Sequence, residues 1–283
     1  MRILVTGAAG MLGRDLSQDL GVAGALISTA TRTDLDLTDP EACVKAVERH
    51  DVVVNAAAWT AVDQAESQQA EAFAVNGTGA ANLARACDLA GARLVHISTD
   101  YVFDGTSTTP YAESAPLSPA SAYGRSKAAG EWAVRALCAD SLVVRTAWLY
   151  GAHGRCFPRT IAAALAEHST VDVVSDQVGQ PTWTRDIAEL VRELLAVRAP
   201  AGIYHASSGG QTSWHGFARA VAVASGADPE RVVETTSATF MRPAPRPAYS
   251  VLGWRALEQV GVAPIGPWDE RWAAASAAVL ADL

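Results

Sequence analysis

The first half of the chain alternates short apolar, β-branched runs with alanine-rich stretches of helical character. This alternation is typical of β-α-β units, in which parallel strands lie under helices on both faces of one sheet. The pattern therefore predicts an α/β fold with a doubly wound parallel sheet. Strands are predicted at 2–6, 25–30, 52–55, 94–98 and 142–145, and helices at 11–20, 40–49, 70–90 and 121–137.

The pattern changes after Tyr150, where glycine and proline become frequent. Met241–Pro247 holds three prolines in seven residues, which predicts a loop. We expect residues 1–150 to form the sheet domain, with 170–206 returning to its sheet. Residues 151–169 and 207–283 would form a smaller C-terminal lobe that closes over the carboxyl edge, where open α/β sheets bind ligands.

Composition adds several exclusions. Of 283 residues, 49% are hydrophobic and 18% charged, which is ordinary globular composition. The apolar stretches fall far short of the roughly 18 to 20 residues of a membrane helix, and no secretory signal pattern opens the chain. We therefore expect a cytoplasmic protein with no membrane partner. The net charge of −8 disfavours nucleic acid as a partner. The cysteines lack zinc-like spacing and are expected to be reduced structural thiols: Cys43, Cys87, Cys138 and Cys156.

Three glycines follow the first predicted strand and lead into the first helix: Gly7, Gly10 and Gly13. Without Cβ atoms the chain can turn sharply, so a pyrophosphate can reach the N–H groups and the positive end of the helix dipole. A plain β-α turn is the alternative, but the position directly after the first strand favours a Rossmann-type dinucleotide-binding domain. The candidate pyrophosphate-binding residues are Gly7, Gly10, Met11, Leu12 and Gly13.

The end of the second predicted strand bears on the choice of cofactor. An acidic residue there would bind the adenosine ribose hydroxyls, whereas a basic residue accommodates a 2′-phosphate. Arg32 follows this strand and no acid ends it. The sequence therefore predicts NADPH as the cofactor, with Arg32 beside its 2′-phosphate, and NADH remains possible. The alternative, an ordinary solvated Arg32, carries equal weight. Asp36, with Leu37, is expected near the adenine.

The strongest chemical signal is a tyrosine and a lysine four positions apart, Tyr123 and Lys127. On a helix they share a face, so the ammonium could draw the tyrosine pKa down from about 10 and make the phenol a catalytic acid. The spacing is common by chance. However, Lys45 and Lys127 are the only lysines among 22 basic residues, which argues against a merely solvated position. Thr99, at the end of the fourth strand, would join Tyr123 at a substrate carbonyl oxygen, although capping a strand is the commoner role for such a threonine.

Two further groups lie near this edge. Ala56, Ala57 and Ala58 follow the third strand and leave room for a cofactor to cross it. Asn76 lies in mid-helix, where Asn has poor propensity. A buried hydrogen-bonding role beside the site and a helix-kinking role are both open for this residue.

These elements, in this order and spacing, resemble the extended short-chain dehydrogenase/reductase superfamily. Within it, the chain is similar to the dTDP-4-dehydrorhamnose reductases over nearly its whole length. The segments that carry the similarity are Val54–Glu66, Ser98–Phe103, Tyr123–Glu131, Arg145–Tyr150, Asp176–Thr182, Gly202–His205 and Arg246–Pro247.

The resemblance implies NADPH-dependent reduction of the C4 ketone of a dTDP-linked 6-deoxyhexose. Tyr123 would give its proton to the carbonyl oxygen, and Lys127 would tune Tyr123 and hold the nicotinamide ribose. Thr99 would assist Tyr123, while Asp100 and Trp148 would contact the sugar nucleotide. Trp59 and His153 could shape the pocket, and the candidates for the substrate diphosphate, each with surface solvation as the alternative, are Arg155, Arg159, Arg242 and Arg246.

One departure from the family concerns metal. Members with a metal-bridged dimer use acidic residues at positions where this chain has Asp15 and Arg185. Because arginine is no metal ligand, we expect no metal site, and a monomer or weak homodimer.

Two rival functions remain open. Nucleotide-sugar dehydratases and epimerases share the scaffold, but dehydratases carry an Asp-Glu pair after the active-site threonine, and here Tyr101 follows Asp100. A non-catalytic NADP-binding regulatory subunit, like that of methionine adenosyltransferase, is disfavoured because Thr99, Tyr123 and Lys127 are all present.

Overall fold

The computed structural model describes residues 1–281. Its first part alternates strands and helices close to the predicted bounds, except that the helix predicted at 70–90 contains a π-helical turn at Ala74–Gly79. The elements are β1 (Arg2–Thr6), α1 (Met11–Val22), β2 (Leu26–Ala30), α2 (Pro40–Val47), β3 (Val52–Asn55), α3 (Val62–Ala65), α4 (Gln69–Phe73), α5 (Ala80–Ala90), β4 (Arg93–Thr99), α6 (Ala122–Leu137) and β5 (Ser141–Thr146).

The second part has shorter strands, as its glycine and proline content suggests. Its elements are β6 (Leu149–Tyr150), α7 (Phe157–Glu167), β7 (Val171–Val174), β8 (Val178–Gly179), β9 (Thr182–Trp183), α8 (Thr184–Ala196), β10 (Gly202–His205), β11 (Thr212–Ser213), α9 (Trp214–Ala224), β12 (Val232–Thr235), α10 (Arg255–Gln259) and α11 (Trp268–Val279).

A parallel sheet of six strands, in the order β10-β5-β4-β3-β1-β2, forms the centre of the molecule. Because β1 pairs with both β2 and β3, the connections run to opposite sides of β1 and leave a crevice at the carboxyl ends of β1 and β3. β3 is buried along its whole length, as expected for a strand covered on both faces. The predicted doubly wound α/β fold is confirmed.

Helices cover both faces of this sheet. On one face α1 and α8 bury side chains such as Leu16 and Ile187. On the other face α2, α5 and α6 close over residues such as Val53 and Leu83. Each fully buried side chain of this kind contributes roughly 1.5–3 kcal/mol. The carboxyl edge of the sheet is thereby held on a rigid platform.

The C-terminal lobe is built around an aromatic cluster of Tyr150, Phe217 and Trp272. In it β7 pairs in parallel with β12. The segment 170–206 was expected to return to the central sheet. Of its strands, β10 lies in that sheet but β7 does not, and its helix α8 packs on α1. The reason is visible in β7, which buries one residue fully and exposes Asp172, a pattern that suits a small pair rather than a central strand.

The four cysteine thiols are buried and unpaired. Burial raises the pKa of Cys43 and of Cys138 to about 11, so both remain protonated and unreactive at neutral pH. No helix within residues 1–281 has the length and apolar character needed to span a membrane.

Candidate active site

The turn between β1 and α1 is a cradle of glycine backbone. Gly7 has a φ of +69°, and a Cβ there would lie 2.6 Å from the amide nitrogen of Ala57. A Cβ at Gly13 would lie 2.3 Å from the carbonyl oxygen of Gly7. Gly10 is the N-cap of α1, and no side chain bonds the first N–H groups of that helix. These N–H groups can therefore donate hydrogen bonds to an anion, and the cradle fits the pyrophosphate of a dinucleotide.

Met11 and Leu12 open α1 and bring their amides to the cradle. The Leu12 side chain is buried in the sheet core, whereas Met11 packs against the core of the lobe. The start of α1 thus touches both parts of the molecule.

Arg32 lies at the far end of the cradle. The amide of Ala8 donates to the carbonyl of Ala30 at 3.2 Å, which places the end of β2 beside the glycine turn. Arg32 is exposed there, within a turn that Asp34 closes by accepting bonds from the amide and hydroxyl of Thr31 at 2.9 and 2.6 Å. This guanidinium is therefore available to a phosphate.

Asp36 and Leu37 lie in the next loop. The Asp36 carboxylate accepts bonds from the hydroxyl and amide of Thr38 at 2.7 and 2.9 Å, and these bonds lower its pKa. The Leu37 side chain is buried, and its carbonyl accepts a bond from Nδ2 of Asn82 at 3.0 Å. Both residues stabilise this loop, and their role near an adenine stays a prediction.

Asn55 organises the end of β3. Its Oδ1 accepts bonds from the Thr6 hydroxyl at 2.7 Å and from the Ala57 amide at 3.1 Å, and its Nδ2 bonds Nδ1 of His96 at 3.1 Å. Thr6, Asn55 and His96 are neighbours in register across β1, β3 and β4. This buried polar row holds the segment 56–58 under the glycine cradle.

Asn76 lies in the π-helical turn and is almost fully buried. Its Oδ1 accepts a bond from the Trp59 amide at 2.8 Å, and its Nδ2 donates to the Ser126 hydroxyl at 2.9 Å. That hydroxyl donates in turn to the carbonyl of Tyr123 at 2.7 Å. The hydrogen-bonding role predicted for Asn76 is confirmed, and the helix is also distorted at this residue.

Tyr123 and Lys127 share one face of α6, and Thr99 ends β4. Tyr123 is 9% exposed and Lys127 only 3%, so the ammonium group does not lie in bulk water. Its Nζ donates to the carbonyl of Ile97 on β4 at 2.6 Å. The Thr99 side chain lies close enough to the Tyr123 phenol to act on its pKa. The fold therefore brings together the three residues that the sequence identified.

Burial controls the titration of both groups on α6. It lowers the pKa of Lys127 from 10.5 to about 8, and the Glu131 carboxylate partly opposes this change. It raises the pKa of Tyr123, an effect that the nearby Thr99 side chain counters and the charge of Asp100 reinforces. The direction for Tyr123 is opposite to that expected from the sequence, because the exclusion of water from the phenol has the largest effect on its pKa. The phenol therefore keeps its proton at neutral pH, as a proton donor must.

Asp100 follows Thr99 and is 3% exposed. Its Oδ1 accepts a bond from the Thr99 hydroxyl at 2.9 Å, whereas its buried Oδ2 has no hydrogen-bond partner among the described residues. Burial raises the pKa of Asp100 to about 6, and the nearby hydroxyls of Ser250 and Thr99 limit the rise. A buried oxygen without a partner costs about 1–3 kcal/mol. Asp100 is thus suited to accept a bond from a substrate hydroxyl.

Trp148 forms an aromatic wall with Trp214 of α9. The two rings stack with centroids 3.5 Å apart and planes 4° apart. Trp148 has a φ of +47°, a left-handed conformation that costs about 1–3 kcal/mol in a bulky residue. A Cβ at Gly179 would lie 2.4 Å from its ring. The sequence indicated Trp148 but gave no signal for Trp214, whose contact depends on the docking of the lobe.

A cleft beside Tyr123 contains Arg246. Its walls include Tyr101, Ser121 and Arg246, and the Tyr101 ring packs edge-on against the Tyr123 ring at 5.6 Å between centroids. The Arg246 guanidinium lies 2.9 Å from Oδ1 of Asp63. Of the four arginine candidates, Arg246 is therefore at the cleft, although part of its charge is already paired.

The other three arginines have different surroundings. Arg159 donates to the carbonyl of Val279 at 2.9 Å and so ties the lobe together. Arg242 lies 4.7 Å from the Phe240 ring centroid, and Arg155 is exposed.

Asp15 and Arg185, the positions compared with metal-bridged relatives, lie in different environments. Asp15 accepts a bond from the hydroxyl of Thr184 at 2.5 Å and lies 3.7 Å from Nε2 of His153. Arg185 pairs with Glu189 at 3.5 Å. The expectation that this chain carries no metal at these positions stays a prediction.

Below the site lies a buried ion pair, Glu131 with Arg145, in which each side chain is 1% exposed. No spacing in the sequence pointed to it, because it joins α6 to β5 across the packed interior.

The chain is similar to one family of known proteins throughout. The family model described as the RmlD substrate binding domain matches residues 1–280. The dTDP-4-dehydrorhamnose reductase of Streptomyces griseus is 49% identical over 274 residues, covering 94% of this chain and 90% of that protein. The dTDP-4-keto-6-deoxy-D-glucose reductase of Streptomyces niveus is 48% identical, covering 94% and 93%. A solved dTDP-4-dehydrorhamnose reductase from Bacillus anthracis, in complex with NADP, aligns with a TM-score of 0.92 at 35% identity, covering 95% of this chain and 96% of that one.

Proposed function

We propose a function from the premise that this chain belongs to the RmlD substrate binding domain family: it is an NADPH-dependent oxidoreductase that reduces the C4 ketone of a dTDP-4-keto-6-deoxyhexose. The observation that carries this proposal is the convergence of Thr99, Tyr123 and Lys127 at the carboxyl edge of the sheet, beside the glycine cradle. The names of relatives at 48–49% identity support the same reaction.

The cradle and the end of β2 would hold the cofactor. The free N–H groups at the start of α1 would bind its pyrophosphate, and the exposed Arg32 would bind a 2′-phosphate. Lys127, directed at the sheet edge, would bind the nicotinamide ribose. When bound there, NADPH supplies the hydride that reduces C4 of the sugar.

Tyr123 and Thr99 would act at the ketone oxygen. Negative charge builds on that oxygen as the carbonyl is reduced, and donors already held in place stabilise it without reorganisation. Tyr123, whose pKa burial raises, would donate its hydroxyl proton to this oxygen. Thr99 would donate a second hydrogen bond, and the Lys127 ammonium would stabilise the phenolate that remains on Tyr123.

The sugar nucleotide would lie between the two parts of the molecule. The unpartnered Oδ2 of Asp100 would accept a hydrogen bond from the sugar, and the wall of Trp148 and Trp214 would cover one side. Arg246, in the cleft beside Tyr101, would bind the diphosphate.

The test is oxidation of NADPH by the purified protein when a dTDP-4-keto-6-deoxyhexose is added. We expect turnover by the wild type and a loss of about a thousandfold or more in Tyr123→Phe, with NADPH affinity preserved. Turnover without added reductant, with NAD⁺ held tightly through purification, would establish an epimerase instead. NADPH binding without turnover would establish a regulatory subunit.

We also propose that the protein acts in the cytoplasm as a monomer or weak homodimer. The unpaired, buried thiols support a reducing compartment, and arginine at position 185 disfavours a metal-bridged dimer. Light scattering after size-exclusion chromatography, with and without Mg²⁺, tests the assembly, and a metal-dependent dimer would contradict it.

A further inference from the structure

The buried pair of Glu131 and Arg145 is saturated with directed bonds. Nε of Arg145 donates to Oε1 of Glu131 at 2.9 Å, and Nη2 donates to Oε2 at 2.7 Å. The Ser98 hydroxyl donates to the same Oε1 at 2.5 Å. Such a two-pronged contact is geometrically restrictive, since the planar guanidinium accepts the carboxylate in one orientation.

Arg145 also reaches the elements around it. Its Nη1 donates to the carbonyl of Glu113 at 3.1 Å and lies 3.3 Å from Nε2 of His205. Burial lowers the pKa of His205 to about 3, so its ring is neutral and its Nδ1 can donate to the carbonyl of Gly253 at 2.8 Å. The pair is thereby connected to the segment before α6, to β10 and to the lobe.

Three residues of this network lie close in sequence to residues of the candidate site. Ser98 directly precedes Thr99 on β4, and Glu131 lies one helical turn after Lys127. Arg145, on β5, lies three residues before Trp148. A shift in the pair would therefore move segments that carry the proton donor, its partners and the aromatic wall.

Stability alone does not account for such a pair. Removing two charges from water costs several kcal/mol per ion, and a buried pair replaced by apolar residues of similar volume is often no less stable. A buried ion pair is therefore expected where the fixed orientation of its side chains, or its charge, contributes to the function of the protein.

We propose that Glu131 and Arg145 are positioning residues of the reduction, which lock β4, α6 and β5 in register around the reacting groups. The Glu131 carboxylate, one helical turn from Lys127 on α6, also favours the charged form of that ammonium. This inference rests on the proposed function. Glu131 from α6 and His96 from β4 interact with Lys127, and the Arg145 cation is bonded to Glu131. Tyr123 lies one helical turn before Lys127 on α6. His96 stays neutral because burial lowers its pKa, so Glu131 is the one anion that acts on Lys127 within the described residues.

The two lysines of the chain allow a direct measurement. Protein labelled with ¹³C at lysine Cε has two signals, from Lys127 and from the exposed Lys45, which serves as an internal control. Positions i and i+4 on a helix lie roughly 6 Å apart, and at that distance inside a protein a unit charge shifts a pKa by roughly one to two units. Loss of the carboxylate in Glu131→Gln should therefore lower the Lys127 titration midpoint by roughly one pH unit in the cofactor-free protein, with no change for Lys45.

A double variant separates positioning from folding. Glu131→Leu with Arg145→Met removes both charges together and leaves no unpaired ion in the interior. We expect it to fold, to bind NADPH within about threefold of the wild type, and to lose about tenfold or more in kcat. The matched control is Asp186→Leu with Arg271→Met, which removes another two-pronged pair, between α8 and α11. Its kcat should stay within about twofold.

The outcomes are distinct. An unchanged Lys127 titration together with kcat within twofold in the Glu131/Arg145 double variant would overturn the inference. An equal loss of kcat in the Asp186/Arg271 control would do the same, because the effect would then be a general weakening of the fold. If Glu131→Gln does not fold, the kcat of the double variant decides alone, because removal of both charges leaves little net effect on the Lys127 titration. Failure of the proposed function would instead appear as a wild-type protein without turnover, while the titration still tests the role of Glu131.

Discussion

Lys127 should make the stability of this protein rise with pH in the alkaline range. Burial lowers its pKa from 10.5 to about 8. Below pH 8 both the folded and the unfolded chain carry the proton, so the full cost of burying the ammonium is present. Between pH 8 and 10.5 the folded protein releases this proton while the unfolded chain still binds it. The unfolded state then holds more protons, and the free energy of unfolding increases with pH.

The size of the effect follows from the same two values. One pKa unit corresponds to about 1.4 kcal/mol, so a lowering from 10.5 to about 8 amounts to about 3 kcal/mol. Lys127→Met has similar length and no charge. Its free energy of unfolding should exceed that of the wild type most at pH 7, and the difference should shrink by about 3 kcal/mol by pH 10.5.

Urea unfolding of both proteins at several pH values between 7 and 10.5 measures this difference. Subtracting the free energies of unfolding of the wild type from those of Lys127→Met removes the contributions of tyrosines and cysteines, which titrate in both proteins. Lys45→Met is the matched control, because Lys45 is exposed on α2, and its stability profile should run parallel to that of the wild type. Parallel profiles for Lys127→Met and the wild type would refute the claim that burial, rather than pairing, controls Lys127.

Three other substitutions test separate parts of the site. Gly7→Ala places a Cβ 2.6 Å from the Ala57 amide in a left-handed backbone, so it should lower the free energy of unfolding by about 2–4 kcal/mol and abolish NADPH binding, as measured by urea unfolding and fluorescence titration. Arg32→Ala should raise the KM for NADPH about tenfold and leave that for NADH unchanged; equal effects on both would place Arg32 away from the 2′-phosphate. In Asp100→Asn the cost of a buried carboxylate is removed. Burial raises the Asp100 pKa from 3.8 to about 6, so the folded state binds the extra proton and wild-type stability falls as pH rises through this range. The gain of the variant should therefore grow by about 2 kcal/mol between pH 4 and pH 7, and a gain independent of pH would contradict that assignment.

The elements of the sheet domain could be predicted closely from the order of residues. β1 and β3 occupy the predicted residues, and α6 begins within one residue of its predicted start. The π-helical turn at Ala74–Gly79 was not foreseen as such, although Asn76 had marked a weak point in that helix. The pairing of β7 with β12 was not predicted, because a short strand with one buried face carries no information about its partner.

Local sequence patterns were sufficient to predict those parts of the site that depend on residues close together in sequence. The glycine turn and the i, i+4 pair of Tyr123 and Lys127 are properties of one turn and one helix, so the order of residues was sufficient to identify them. The pKa of Tyr123, the Trp148–Trp214 stack and the Glu131–Arg145 pair depend on water exclusion and on contacts between residues distant in sequence. Those quantities exist only once the sheet, its helices and the lobe have packed, because packing sets both which groups meet and how much water remains around them.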